Sequence, residues 1–272
     1  MNGMIRGAVF DLDDTLLRDD LSISPYTVDV FHRLSQAGFR LIAASGRAKM
    51  SMLPYVERLG CVDLYISCNG AEIWDPKADR LLHQETFSAE LGRRIADFGE
   101  SRGVYAQTYE GDSFYFNYPC VYADRYARTS LLKGVCVGDL RVFIREPRTK
   151  ILMMAEESQI AAMLTEAREL FRGEASVTCS KPWFLEFNPP GATKGLALGR
   201  AAETLGLDAG SFVAFGDSLN DLPMLEAAGR AVTVANGWPQ LREVCHDVCL
   251  SNQEDGVARY LAEHFLSGEA KV

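Results

Sequence analysis

Short apolar runs alternate with amphipathic stretches through the first eighty residues. "GAVFDL" (7–12) leads into "SPYTVDVFHRLSQAG" (24–38), "FRLIAAS" (39–45), "AKMSMLPYVERLG" (48–60) and "LYISCNG" (64–70). The apolar runs are too short for helices and suit buried strands. The second stretch opens with Ser24 as N-cap and Pro25 at the first helical position, and Gly38 stops it. Pro54 weakens the fourth stretch as a helix. Strand, helix, strand, helix, strand in this order predicts a parallel sheet covered by helices on both faces.

The last eighty residues repeat the pattern. "ATKGLALGRAAETLG" (192–206) places Leu198, Ala201, Ala202 and Leu205 on one helical stripe. "SFVAFGD" (211–217) and "RAVTVAN" (230–236) read as strands, "NDLPMLEAAG" (220–229) as a helix, and "GVARYLAEHF" (256–265) as a closing amphipathic helix. Between about Gln84 and Pro189 the texture changes. Six of the ten tyrosines fall there (Tyr105, Tyr109, Tyr115, Tyr118, Tyr122 and Tyr126), with β-like "SFYFNY", "RVFIRE" and "TKILMMA" and a helix "SQIAAMLTEARELF". The turn Pro189-Pro190-Gly191 and the turn region "WDPKADR" mark its two exits. The expected plan is an α/β core made of residues 1–83 and 190–272, interrupted once by an inserted α+β domain over 84–189.

Composition narrows the function. Apolar residues make up 47% and charged residues 24% of the 272, as in an ordinary globular protein. No run of eighteen apolar residues exists, so no membrane partner is expected. The opening "MNGMIRGAVFDLDD" has acids where a signal peptide needs its apolar centre, which makes the cytoplasm the expected compartment. Seven scattered cysteines suggest reduced thiols. Cys245, His246 and Cys249 lack a further ligand pair for zinc. A net charge of −9 disfavours nucleic acid as a partner, but a small phosphorylated metabolite is compatible with it where positive charge is locally gathered. Oligomeric state is not legible.

Candidate chemistry collects where a parallel sheet binds ligands, at the carboxyl ends of its strands. Asp11 and Asp13 follow the first strand, Ser45 and Gly46 the second, and Gly216 and Asp217 a late one, followed by Asn220 and Asp221. Lys194 opens a helix behind Thr193, a candidate N-cap. An unpaired pair of carboxylates at about 4 Å repels by roughly 4 kcal/mol at an effective dielectric near 20, so positive charge must be expected there. Acids, a hydroxyl, a lysine and glycine-flanked turns suit metal-assisted phosphate chemistry. One carboxylate, Asp11, attacks phosphorus to give an aspartyl phosphate; a second, Asp13, two residues on and on the same side, acts as acid and then base. Mg²⁺ would lie among Asp11, the Asp13 carbonyl and Asp217. Lys194, the Ser45 hydroxyl and the backbone N–H groups of Leu12 and Gly46 would hold the phosphoryl group. Asp14, on the other side of the segment, is expected to be solvated or capping. An EF-hand loop fails, because it needs Gly at Leu16 and Glu at Ser22.

"FDLDDT", "ASGR", the lysine of "GATKG" and "GDSLND" resemble the four ordered motifs of the haloacid-dehalogenase-like (HAD) phosphatase superfamily, over most of the chain. The large insertion followed by "LEFNPPGATKG" is similar to the Cof-type sugar-phosphatase branch, whose cap domain lies there. The resemblance implies a Rossmann-like core, Asp11 as nucleophile, Asp13 as acid/base, Ser45 and Lys194 as phosphate binders, and Asp217 as a magnesium ligand. It further implies Asn220 as a phosphate contact and Asp221 as a support for the metal or Lys194. Asp14 stands where the branch often has glycine, and "GATKG" replaces a more usual valine-serine version. Arg47, Asn69, Trp183, Glu186 and Asn188 are candidate contacts to the leaving group. The expected function is a Mg²⁺-dependent phosphatase of small phosphorylated metabolites; the rivals are a phosphomutase or phosphotransferase, and a module that accepts phosphate on Asp11 without turnover.

Overall fold

The computed structural model describes residues 4–266. The few residues outside that range belong to the outermost parts of the expected core segments. The first part of the chain forms β1 (Gly7–Phe10), α1 (Pro25–Gln36), β2 (Arg40–Ala44), α2 (Lys49–Leu59), β3 (Leu64–Ser67), β4 (Glu72–Asp75) and β5 (Arg80–Gln84). The middle forms α3 (Ala89–Glu100), β6 (Tyr105–Glu110), β7 (Ser113–Phe116), α4 (Val121–Ser130), β8 (Lys133–Cys136), α5 (Leu140–Phe143), β9 (Ile151–Met154), α6 (Glu157–Leu170), β10 (Ser176–Thr178) and β11 (Phe184–Asn188). The last part forms α7 (Lys194–Thr204), β12 (Phe212–Gly216), α8 (Leu222–Ala227), β13 (Arg230–Val234), β14 (Asp247–Cys249) and α9 (Gly256–Phe265).

Two sheets result, an eight-stranded one in the order β14-β13-β12-β1-β2-β3-β4-β5 and a six-stranded one in the order β10-β11-β9-β6-β7-β8. In the larger sheet β14 through β3 are parallel. Its central strands, β13, β12, β1, β2 and β3, are buried on both faces along nearly all their length. Ala8 and Phe10 pack with Phe31, Leu34 and Met52 from α1 and α2 and with Leu261 from α9, while Val9 packs with Leu198, Ala201 and Met224 from α7 and α8. Phe10 and Phe31 meet edge to face at 4.9 Å, a preferred geometry for aromatic quadrupoles. The chain leaves β1 toward β2 on one side and returns through β12 on the other. That reversal opens a crevice at the strand ends, the usual place for a ligand in an open α/β sheet.

The caps foreseen in the sequence are present. Ser24 Oγ accepts from the Thr27 N–H at 3.0 Å, and Thr193 Oγ1 from the Leu196 N–H at 3.2 Å. The α2 helix runs unbroken through Pro54. The expected parallel core sheet is present, and β4 and β5 extend it by an antiparallel hairpin; "WDPKADR" is its turn, closed by Asp75 Oδ1 accepting from the N–H groups of Lys77 and Ala78. "RVFIRE" is no strand; Asp139 Oδ1 caps the Arg141 N–H at 2.8 Å and starts the single turn of α5. The smaller sheet is antiparallel apart from β7 beside β8. One face carries α3 and α6 over Met153, Leu185 and Phe187. The other carries Tyr105, Tyr109, Leu152 and Met154, packed with α4 and with Ala48, Cys68 and Ala192 of the first and last chain parts. That face looks toward the strand ends of the larger sheet. All seven cysteines are free thiols.

Candidate active site

Pairing between β1 and β12 continues one residue beyond β1, where the Asp11 N–H donates to the Phe215 carbonyl at 3.0 Å. This fixes Asp11 at the rim of the crevice. A tight turn over Leu12–Leu16 follows, with Asp14 in left-handed backbone at φ 59°, a conformation that favours glycine. The turn sends Asp13 and Asp14 into the cavity between the two sheets. Asp14 is therefore not merely solvated, as the sequence suggested: its Oδ2 accepts from Lys181 Nζ at 2.7 Å.

Four charged groups meet behind the rim. Lys194, fully buried, donates to Asp11 Oδ1 at 2.5 Å and to Asp221 Oδ1 at 2.6 Å. Asp221 Oδ2 accepts the backbone N–H groups of Asp217 and Ser218 at 3.0 and 3.1 Å, so Asp221 ties Lys194 to the loop after β12. That loop passes close: a Cβ on Gly216 would lie 2.4 Å from the Asp221 Cβ. Thr15 Oγ1 donates to Asp217 Oδ1 at 2.9 Å. Asp11, Asp217 and Asp221 thus offer carboxylate oxygens all within 4.8 Å of one another.

Three buried carboxylates meet here and one lysine bonds only two of them, Asp11 and Asp221, and their electrostatics show it. Burial pushes the Asp11 carboxyl up to about 8, against the pull of Lys194, with Asp221 and Asp13 adding to the rise. Burial, then the Asp221 and Asp11 charges, hold Asp217 well above the usual carboxylate range. Burial alone would lower Lys194, but Asp11 and Asp221 outweigh it and keep the ammonium charged. Oxygen-only donors with surplus negative charge fit a hard divalent cation. A carboxyl raised on folding binds more protons folded than unfolded, so it costs stability as pH rises from about 4 toward 8. In chelator, Asp217→Asn is therefore expected to melt above wild type, by a margin larger near pH 8 than near pH 5; with Mg²⁺ present the order reverses. A melting series at the two pH values checks this.

Asp13 faces another way. Arg47 Nε and Nη2 bind its two oxygens at 2.8 Å each, and the same guanidinium donates to Ser51 Oγ and to the Thr129 carbonyl of α4. Burial would raise Asp13, but Arg47 and then Lys181 outweigh it and hold the carboxyl below its ordinary value. Ser45 and Gly46 line the cavity at the end of β2; Ser45 Oγ accepts the Arg47 N–H at 3.1 Å, and the Gly46 carbonyl accepts Lys150 Nζ at 2.7 Å. Leu12 is buried beneath.

Of the five candidate leaving-group contacts, Arg47, Trp183 and Glu186 line the cavity. Asn69 and Asn188 are absent from that lining. Asn69 Nδ2 donates to Asn188 Oδ1, and Asn220 Nδ2 to Asn69 Oδ1, both at 3.0 Å. This amide ladder runs from the end of β11 to the loop after β12, where Ser218 Oγ donates to Asn220 Oδ1 at 2.7 Å. Sequence inspection missed Thr15, Lys150, Lys181 and the inner face of α4. Tyr122, Arg125, Tyr126 and Thr129 all line the cavity at i, i+3, i+4 and i+7, a helical stripe that the periodicity contained. The strand tyrosines Tyr105 and Tyr109 lie in the packed core, with Tyr105, Gln107, Tyr109 and Tyr126 joined by hydrogen bonds of 2.7 to 2.8 Å.

A Rossmann-like sheet with an acid–lysine cluster at its switch point, faced by a second sheet inserted after β5, defines a hydrolase class. Residues 8–261 match the family model of haloacid dehalogenase-like hydrolases, and the chain belongs to that family. It is 30% identical over 263 residues to the 5-amino-6-(5-phospho-D-ribitylamino)uracil phosphatase of Bacillus subtilis, covering 94% of this chain and 96% of the relative. It is 28% identical over 272 residues to the HMP-PP phosphatase of Yersinia pseudotuberculosis, covering 97% and 96%. A haloacid dehalogenase-like hydrolase from Bacteroides thetaiotaomicron superposes with a TM-score of 0.84 at 25% identity, over 96% of this chain and all of that one.

Proposed function

We propose that the protein is a Mg²⁺-dependent phosphatase of small phosphorylated metabolites that works through an aspartyl phosphate, an acyl phosphate formed on Asp11. The single observation that carries this is the junction of Asp11 with Lys194, Asp217 and Asp221 at the sheet's switch point. Two relatives that match nearly end to end bear phosphatase names, which supports the reaction class. Asp11, Asp217 and the Asp13 carbonyl would hold the cation, with Asp221 behind them. Bound Mg²⁺ supplies positive charge to these carboxylates and to the phosphoryl oxygens.

Asp11 attacks phosphorus, its carboxylate oxygen forming the new P–O bond as the ester oxygen departs. Asp13 gives that oxygen a proton, then takes one from the water that cleaves the aspartyl phosphate. In the structure described, Asp13 is held ionised by Arg47. Donating a proton requires Arg47 to loosen its grip, and Arg47 also bonds the Thr129 carbonyl, so the acid's state depends on where α4 sits. Lys194, Ser45 and the N–H groups of Leu12 and Gly46 bind the phosphoryl oxygens, with Asn220 beside them. We assign the segment 84–189 the role of a cap that covers the core (1–83 and 190–272), excludes water and selects the leaving group.

Phosphate release from a panel of phosphorylated metabolites tests the assignment. Chelation is expected to abolish release and added Mg²⁺ to restore it; turnover that persists in chelator would refute the cation's part.

A further inference from the structure

Lys150 and Glu186 are used by none of these steps. They form an ion pair whose side chains are almost wholly buried (3% and 1% exposed), with Lys150 one residue before β9 and Glu186 within β11. Burial would lower the Lys150 ammonium, but Glu186 outweighs it and keeps it charged. Stability does not explain the pair. Removing two charges from water costs several kcal/mol per ion, and an apolar pair of like volume often serves a fold as well or better. The satisfaction is also incomplete: Glu186 Oε2 is buried with no hydrogen-bond partner among the described residues.

The ammonium reaches across the seam between the two sheets. Lys150 Nζ donates to the Gly46 carbonyl at 2.7 Å. That carbonyl and the Arg47 N–H belong to one peptide group, and the N–H donates to Ser45 Oγ at 3.1 Å. An ammonium on the oxygen of a peptide group polarises it and strengthens its N–H as a donor. Because the peptide group is planar, fixing its oxygen also fixes the direction of its N–H. Ser45 Oγ accepts this bond and keeps its own proton to donate to a phosphoryl oxygen.

The pair is also held against the core. Asn188 Nδ2 donates to the carbonyl of Thr149, the neighbour of Lys150, and to that of Cys68 in the core, at 3.0 and 2.9 Å. The Cys68 N–H in turn donates to the Arg47 carbonyl at 2.8 Å. The approach is close: a Cβ on Gly46 would lie 2.9 Å from Asn69 Oδ1 and 3.2 Å from Glu186 Oε1. A glycine at this position lets the ion pair reach the peptide.

We propose that Lys150, held by Glu186, is a positioning residue of the inserted segment that orients the Ser45 hydroxyl on the phosphoryl group through the Gly46–Arg47 peptide. It acts on the phosphoryl group and not on the leaving group, and it acts through Ser45. The inference rests on the phosphatase assignment for the role of Ser45.

Inorganic phosphate has no leaving group, so its binding isolates this effect. Calorimetry with Mg²⁺ gives its Kd for wild type, for Ser45→Ala, and for each of these carrying Lys150→Met with Glu186→Met, a pair that keeps volume without buried charge. Ser45→Ala is expected to weaken binding about tenfold, the loss of a charge-assisted hydrogen bond. The methionine pair is expected to weaken it about fivefold when Ser45 is present and less than about twofold in the Ser45→Ala protein, because a residue acting through another adds nothing once that other is gone. The same cycle on kcat/KM for phenyl phosphate should show a larger contrast, about tenfold against less than about twofold. Glu186→Gln, which loosens the lysine without emptying the site, repeats the comparison if the methionine pair does not fold. Equal losses with and without Ser45, no loss at all, or failure of both kinds of variant to fold makes the pair structural and overturns the proposal. Failure of the phosphatase assignment shows up separately, as a wild type that binds inorganic phosphate with this coupling yet releases none from an ester.

Discussion

Asp11→Asn is expected to lower kcat for phosphate release by at least about 10⁴-fold, because removing the nucleophile of a covalent mechanism leaves only binding and electrostatics to act. The substitution is nearly isosteric, so the new amide oxygen can still accept from Lys194, and the fold is expected to survive. The charge arithmetic even favours the folded state. Asp11 lies under burial that already pushes its carboxyl up to about 8, and a neutral amide there relieves Asp221, Asp13 and Asp217. The variant should therefore combine lost turnover with a melting temperature in chelator at or above wild type. Lost turnover with a collapsed melting temperature would point to misfolding, and retained turnover would remove Asp11 from the mechanism.

Lys194→Met is expected to do the opposite to stability. Lys194 is the only cation bonded to the buried oxygens of Asp11 and Asp221 among the described residues. Removing one partner of a buried pair costs about 3–5 kcal/mol, because the charges left behind have neither water nor counter-charge. At about 2–4 °C per kcal/mol for a chain of this size, the melting temperature should fall by roughly 10 °C in chelator. Mg²⁺ should return part of it. Adding Asp221→Asn removes the stranded charge and should recover stability without recovering turnover. Thermal unfolding of the single and double variants, with and without Mg²⁺, checks all of this; a Lys194→Met protein as stable as wild type would contradict the ion-pair account.

Much of this site was legible because strands end where apolar runs end. The runs before Asp11, Ser45 and Asp217 are short and wholly apolar, so their carboxyl ends could be placed on one sheet edge. Lys194 followed from Thr193, whose capping hydroxyl is independent of tertiary contacts. The β4–β5 hairpin escaped notice because β5 is a half-exposed edge strand, with no buried apolar face to give it a period. Residues 140–143 carry strand-forming side chains, but the Asp139 cap overrides that preference. The cavity face of α4 was hidden for a different reason. Tyr122, Arg125, Tyr126 and Thr129 look like a solvated stripe until the opposite sheet is in place. Asp14 was misjudged because an extended segment puts neighbours on opposite sides, whereas its left-handed φ turns both Asp13 and Asp14 to the cavity. Thr15 could be assigned only once β12 lay beside β1 and brought Asp217 next to it.

In the proposed mechanism the transferred phosphoryl group passes through Asp11. Rapid acid quenching during turnover of a good substrate, followed by peptide mass spectrometry, tests it most directly. The peptide containing Asp11 is expected to gain the mass of one phosphoryl group early in the reaction and to lose it as substrate runs out, with fragmentation placing the group on Asp11. Steady turnover with no phosphorylated peptide, or with the phosphoryl group on any other residue, would contradict it.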